Sequence, residues 1–573
     1  QRKEAPMAVR KFNNSNLNIT IVNALPVLAV SGIMSGNIPV AYPPYMTQFS
    51  AIEPFTPIRK AAGVEVSKTA DVNVLSADLD CHVGHVANAT MRVLITGWDL
   101  EASLSNSNRF LADLMTTARY DRRLSILNGG WGAQIGPDLM FQQLEEGYDE
   151  GPDNIALICT HQSWDHLKGI VGEEPVGGCL TWTYRQLMKA ARDLAIVWEG
   201  YGVERGDTLV AFLPSCAEWA LGFWVAAILE LTFVPLDPMS LAVNSGREQA
   251  YPLDILRTSI VLVSNIRDAY NFDELYPDLK KSVRCKVVCH EQVDFFFRGW
   301  INFEPEETYR LRASDAGDKP HRLGPEDRAV ADDHVAVILF AQESSQHRPK
   351  GCPLTVHNIR TALVNQYILP QQRYLVTCPS TSSATLETVM VAWKRGTAVV
   401  FPGAVFSAQM TLSAVELHHC TRLVCEPPQL EELINDPSRS QRHLGSLESL
   451  SWASSFLTMA EGFGMLGWRS VSLTDRTLDS VGTVMPGSMV KICPGVGKDC
   501  RVLSRGEEGR LHVGGDAIIQ GYLGGAPDGR FYQDSYGNKW LVTDYLATMD
   551  KNGLIRLTTQ LKSSEPIISY DSS

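Results

Sequence analysis

From about residue 137 onward the apolar positions alternate between a helical period and a strand period. Leu187, Ala191, Leu194, Val197, Trp198 and Tyr201 recur at three- and four-residue spacing, which predicts an amphipathic helix. Thr183-Tyr184-Arg185-Gln186 is a capping-box sequence at its start, and Gly202 is placed to stop it. The run Thr208–Leu213 predicts a strand, the stretch from about Cys216 to Leu229 an apolar helix, and Thr232–Leu236 a second strand ending at Asp237-Pro238. A strand–helix–strand unit with short connections puts its two strands parallel, with the helix covering them. Its repetition predicts an α/β fold of layered βαβ subdomains with mostly parallel sheets. After about residue 480 short strands with glycine turns take over (Val490-Lys491-Ile492, Arg510-Leu511-His512-Val513, Ile518-Ile519), predicting a small β-rich subdomain. Residues 1–117 alternate short β-like runs, such as Ile19–Val22 and Met91–Ile95, with turn-forming residues and carry no chemical motif. The expected organisation is therefore 1–117, an unassigned β-rich region; 118–480, an α/β core of two subdomains; and 481–562, the small β-rich subdomain.

The length of 573 residues exceeds what one core can organise. Apolar content of 45% and charged content of 20% describe a globular chain. A net charge of −13 argues against a nucleic-acid partner, because many phosphates would have to be neutralised. The apolar stretch Ile19–Met34 is broken by Asn23, Pro26 and Ser31, so no membrane span is expected. Twelve cysteines stand singly without a CxxC pair; neither a zinc site nor a disulfide framework follows, and a reduced, cytoplasmic location is expected.

The most informative junction is Val335–Phe340, a β-branched run that feeds Ala341-Gln342-Glu343-Ser344-Ser345-Gln346-His347-Arg348-Pro349-Lys350-Gly351, with a helix expected from about Thr355. A strand, a polar turn and a lysine leading into a helix is a common way to hold nucleotide phosphates. Such loops usually carry several glycines, which bend tightly enough to aim successive N–H groups at an anion. Here the only glycine is the last residue, and Glu343 puts a carboxylate where phosphate oxygens would lie. The hydroxyl run Ser380-Thr381-Ser382-Ser383 has no His–Asp constellation behind it, so no catalytic nucleophile is assigned.

Further ordered segments accompany this junction. They include Tyr120–Gly129, Pro152–Leu157, Leu180–Tyr184, Phe233–Pro238, Glu461-Gly462-Phe463-Gly464-Met465, Val481–Gly487, Gly509–Gly515 with Gly521–Gly525, and Trp540-Leu541-Val542-Thr543-Asp544. In order and spacing the set resembles the adenylate-forming superfamily of acyl-CoA synthetases, luciferase-like enzymes and nonribosomal-peptide adenylation domains, with particular likeness to fungal synthetase-like AMP-binding ligases. The resemblance implies ATP-dependent activation of a small-molecule carboxylic acid to an acyl-adenylate, with ATP/AMP and Mg²⁺ as cofactors. CoA or a carrier protein would be the acyl acceptor. It implies that Ser344, Ser345, Lys350 and Gly351 face the β- and γ-phosphates. Gly462, Phe463 and Gly464 would lie against the adenine, and Asp544 would reach the ribose hydroxyls.

The same resemblance exposes departures. Leu466-Gly467 stand where a hydroxyl and a magnesium-binding carboxylate are expected, Tyr545 stands at the ribose-carboxylate position, and Gln560 replaces an arginine. The stretch between Leu450 and Gly462 is short, and residues 563–573 read as a truncated hinge without the C-terminal lobe that carries the adenylation lysine. No catalytic residue and no metal ligand is therefore singled out. Two expectations stand side by side: a ligase whose adenylation is impaired, and a non-catalytic nucleotide- or acyl-binding pseudoenzyme. A third takes the short stretch near 457 as a splicing error.

Overall fold

The computed structural model describes residues 9–14, 17–22, 94–96, 123–129, 140–171, 178–242, 251–279, 283–293, 297–303, 334–341, 349–364, 372–452, 459–462, 484–485, 487–495, 500–524 and 529–561. Chain packing divides at Asp121 into two units, Gln1–Asp121 and Arg122–Ser573. In the first, the described strands Val9–Asn14, Leu17–Val22 and Leu94–Thr96 pair antiparallel in that order.

The described residues of the second unit form three sheets. One runs in the order Trp300–Asn302, Cys285–Val288, Thr258–Val263, Thr208–Phe212, Thr232–Leu236, Val335–Ala341, Lys350–Thr355. All its neighbours are parallel except the last pair. The next runs Ser449–Trp452, Arg422–Cys425, Arg373–Val376, Ala398–Phe401, Ile155–Cys159, Leu180–Thr183, again with one antiparallel strand at the edge. The third is antiparallel and contains Ser488–Cys493, Gly509–Gly515, Phe531–Gln533, Lys539–Met549 and Ile555–Gln560. It also takes in Ile126–Asn128, from the opposite end of the unit, beside Ser488–Cys493. The architecture is the α/β arrangement expected from the pattern, with a separate antiparallel subdomain.

Local signals explain the elements. Thr183 caps the helix Tyr184–Gly200, with Gln186 closing the capping box, and Gly202 follows at φ +81°. The helix Ala217–Ile228 is apolar on every side because it is covered on every side: all but its last residue are buried. Trp219 meets Phe233 of one parallel sheet at 5.6 Å and Phe401 of the other at 6.0 Å. One aromatic cluster thus forms a core shared by both sheets. The run Ser380–Ser383 has a structural use: Ser380 donates to the Leu213 carbonyl, and Ser382 caps the helix Ser383–Lys394.

One expectation is corrected. Lys350 does not lead from a loop directly into a helix; it opens the strand Lys350–Thr355, which pairs antiparallel with Val335–Ala341, and the helix Val356–Val364 comes after it. Gly351, Cys352 and Leu354 are buried there, so the segment gains more as a sheet edge than as a solvated turn. Pro353 is compatible because the strand lies at the edge, where one face of its backbone needs no donor.

Candidate functional site

The edge hairpin brings Lys350 to the loop 516–524. Its ammonium lies 5.0 Å from the centre of the Tyr522 ring, and the Leu523 N–H donates to the Gly351 carbonyl at 2.9 Å. A Cβ on residue 351 would fall 2.5 Å from Leu523 Cδ1, so the glycine permits this close approach. Asn358, buried in the following helix, fixes the loop from the other side by donating to the carbonyls of Asp516 at 2.7 Å and Ile518 at 3.1 Å.

The same loop collects Glu461 and Gly462. Ile519 N–H donates to the Glu461 carbonyl, Gly462 bridges Ile518, and the Tyr522 hydroxyl donates to Glu461 Oε1 at 2.9 Å. Burial raises the Glu461 carboxyl above its ordinary range; the Tyr522 hydrogen bond and the Arg530 charge oppose the rise, and the Asp544 charge adds to it. Burial likewise pushes up the Tyr522 phenol and the neighbouring Cys352 thiol.

Asp544 completes the group. Its carboxylate lies 3.3 Å from Arg510 and 3.1 Å from Arg530, and Arg510 Nε also donates to the Thr543 carbonyl. The register between Gly509–Gly515 and Lys539–Met549 slips between Arg510 and His512, which face Leu546 and Val542 respectively. Extra residues therefore bulge out around Asp544, re-aiming its side chain. Tyr545, one position on, is buried with the hydrophobic core of the antiparallel subdomain.

Of the residues singled out in the sequence, Lys350, Gly351, Gly462 and Asp544 are thus gathered around Tyr522, Glu461 and Arg530. Ser344, Ser345, Phe463 and Gly464 lie outside the described residues. Glu461, Tyr522 and Arg510 were visible only as members of short motifs. Arg530 carried no local signal at all, because it is placed by strand pairing. Among the described residues, Arg510 and Arg530 flank Asp544, Arg530 also acts on Glu461, whose carboxyl is biased towards its neutral form, and Lys350 lies over Tyr522 beside them. That donor set fits an anionic ligand such as a nucleotide phosphate. It does not fit Mg²⁺: Glu461 is held by Tyr522 and Asp544 by two arginines, and no further carboxylate joins them among the described residues.

A family model described as AMP-binding enzyme matches residues 145–460, more than half of the chain. The chain belongs to the AMP-binding enzyme family, whose members use ATP. Its sequence is similar to an acyl-CoA ligase of Pestalotiopsis microspora, 26% identical over 475 residues that cover 74% of this chain and 79% of that one. It is also similar to 4-coumarate–CoA ligase 3 of Oryza sativa subsp. japonica, 22% identical over 425 residues covering 68% and 70% of the two chains. Among solved structures, the luciferase-like enzyme of Zophobas morio superposes with a TM-score of 0.58 at 17% identity, covering 76% of this chain and 99% of that chain. A Mycobacterium tuberculosis fatty acyl CoA synthetase superposes at 0.56 and 16%, covering 74% and 78%. At these identities the structures speak for the shared fold. No helix among the described residues is long and apolar enough to cross a membrane.

Proposed function

We propose that the cluster around Tyr522 binds an adenine nucleotide, that the chain activates a small-molecule carboxylic acid with ATP, and that it forms the acyl-adenylate far more slowly than an unaltered ligase would. The observation that carries this reading is the convergence of Lys350 and Glu461, remote in sequence, on one loop of a family member, with Asp544 close enough to act on the Glu461 charge. The acyl-CoA ligases it is similar to make CoA the first acceptor to test, with a carrier protein second. Slow chemistry is supported by Leu466-Gly467, which supply neither a hydroxyl nor a carboxylate for Mg²⁺. Losing one preorganised charge-stabilising group costs on the order of 10²–10³ in rate. The eleven described cysteines are all unpaired, which supports a reducing, cytoplasmic setting.

A second reading, a non-catalytic nucleotide- or acyl-binding protein, is favoured by one observation: Asp544 already accepts from two arginines, one on each oxygen, which leaves it less capacity for ribose hydroxyls. Pyrophosphate exchange into ATP across aryl, fatty and amino acids, run beside calorimetric titration with an acyl-sulfamoyl adenosine, separates the two. Exchange above background with at least one acid is the expected result. Tight binding of the mimic with no exchange would select the non-catalytic reading, and absence of both would reject a nucleotide site.

A further inference from the structure

A second polar cluster lies apart from the nucleotide site, where three parallel strands end. Glu218, in the first turn of the helix Ala217–Ile228, is 0% exposed. Its Oε1 is 2.5 Å from His166 Nε2; its Oε2 accepts from Gln162 Nε2 at 2.8 Å and is 3.5 Å from His290 Nε2. Cys216 occupies the N-cap of the same helix, is buried, and makes no side-chain capping bond. One ligand atom each from Cys216, Glu218 and His290 lie within 4.8 Å of one another. His161 adds a further sign: both its ring nitrogens are buried, and its one polar neighbour on the backbone is Phe401. It stands close enough to feel the charges of Glu218, His166 and His290.

These residues come from separate places. His161 and His166 follow the strand Ile155–Cys159 of one sheet, whereas Cys216, Glu218 and His290 follow Thr208–Phe212 and Cys285–Val288 of the other. A buried carboxylate needs compensation for its lost hydration. Its neighbours here are the imidazoles of His166 and His290 and the amide of Gln162. A divalent cation would use the nitrogen, oxygen and sulfur donors gathered here together.

We infer that His166, Cys216, Glu218 and His290 form a binding site for a borderline divalent metal ion of the Zn²⁺ type, with His161 as an additional or alternative ligand. Mixed imidazole, carboxylate and thiolate donors suit Zn²⁺, which prefers four ligands at about 2.0–2.3 Å. Tetrahedral ligands at that radius lie roughly 3.3–3.8 Å apart, so the atoms of Cys216, Glu218 and His290, within 4.8 Å of one another, need draw in by only about 1 Å, with His166 joining through its contact to Glu218. On binding, the Cys216 thiol loses its proton to solvent, as does any proton shared between His166 and Glu218, and four bonds to the metal form without a redox change. The bound ion would pin the carboxyl edges of both parallel sheets together.

The test uses the full chain, freed of metal with a chelator and titrated with Zn²⁺ alone, then with Co²⁺ as a spectroscopic substitute. One equivalent of metal is expected, with intense four-coordinate cobalt absorption and a thiolate-to-cobalt charge-transfer band that Cys216→Ser abolishes. His290→Ala is expected to weaken binding at least about tenfold. Because His290 is exposed, at 31% of its side chain, its removal is expected to leave the core packed, which circular dichroism of the variant checks. No binding above that of His290→Ala, or cobalt absorption of the weak six-coordinate kind, would overturn the inference.

Discussion

Lys350 and Tyr522 are the residues on which the nucleotide reading turns. The ammonium over the phenol ring is placed by a strand edge, so it is preorganised rather than mobile. Lys350→Ala is expected to weaken binding of an acyl-adenylate mimic about tenfold, roughly 1.4 kcal/mol, measured by calorimetry. Tyr522→Phe removes the hydroxyl donor from buried Glu461 and is expected to cost about 1–3 kcal/mol in denaturant unfolding. The sign with pH follows from linkage. Glu461 is raised above 4.5 in the folded state, so its unfolded form releases a proton first. Its contribution is most favourable below that value and is lost as pH rises through the folded pKa. Without the phenol the charged form loses a stabilising bond, so the deficit of Tyr522→Phe is larger at pH 7 than at pH 4. These roles were only partly legible in the sequence. Lys350 and Asp544 stood out through their motifs, while the hydrogen bond between positions 461 and 522 depends on a loop returning across the fold.

Among the elements, the helix signals were the easiest to read, since a cap and a periodic stripe are local properties. Thr183→Ala breaks a complete capping box and is expected to destabilise the chain by about 1 kcal/mol. Gly147 is the opposite case, silent in sequence. In the helix Met140–Glu150 it faces the end of the helix Ser383–Lys394, where an added Cβ would fall 1.6 Å from the Trp393 carbonyl oxygen. Gly147→Ala must push those helices apart, with an expected loss of about 1–3 kcal/mol in chemical denaturation. The strand that Lys350 and Gly351 open is hidden in the sequence for a related reason. A lysine, a glycine and a proline in six residues look like loop chemistry, and only pairing with Val335–Ala341 makes them a strand that buries Gly351, Cys352 and Leu354.

At the scale of the whole molecule, one aromatic core serves both parallel sheets. Trp393 lies 5.7 Å from Trp224 and 5.9 Å from Phe223, and its indole N–H donates to the Ala156 carbonyl on the strand Ile155–Cys159. Trp393→Ala is expected to destabilise by about 3–5 kcal/mol, with intrinsic fluorescence and far-ultraviolet circular dichroism reporting the same midpoint shift. The shared core also explains why residues from both sheets can meet at His161, His166, Glu218 and His290. The chain's own sequence determined the α/β class, the helix boundaries and the family, because periodicity, caps and ordered motifs are written along the backbone. Tertiary structure alone decided the bulge that aims Asp544, the carboxylate–phenol pair beside Lys350 and the convergence of imidazole, thiol and carboxylate donors. Each of these depends on strands far apart in the chain being held side by side, and spacing along the sequence carries no record of that distance.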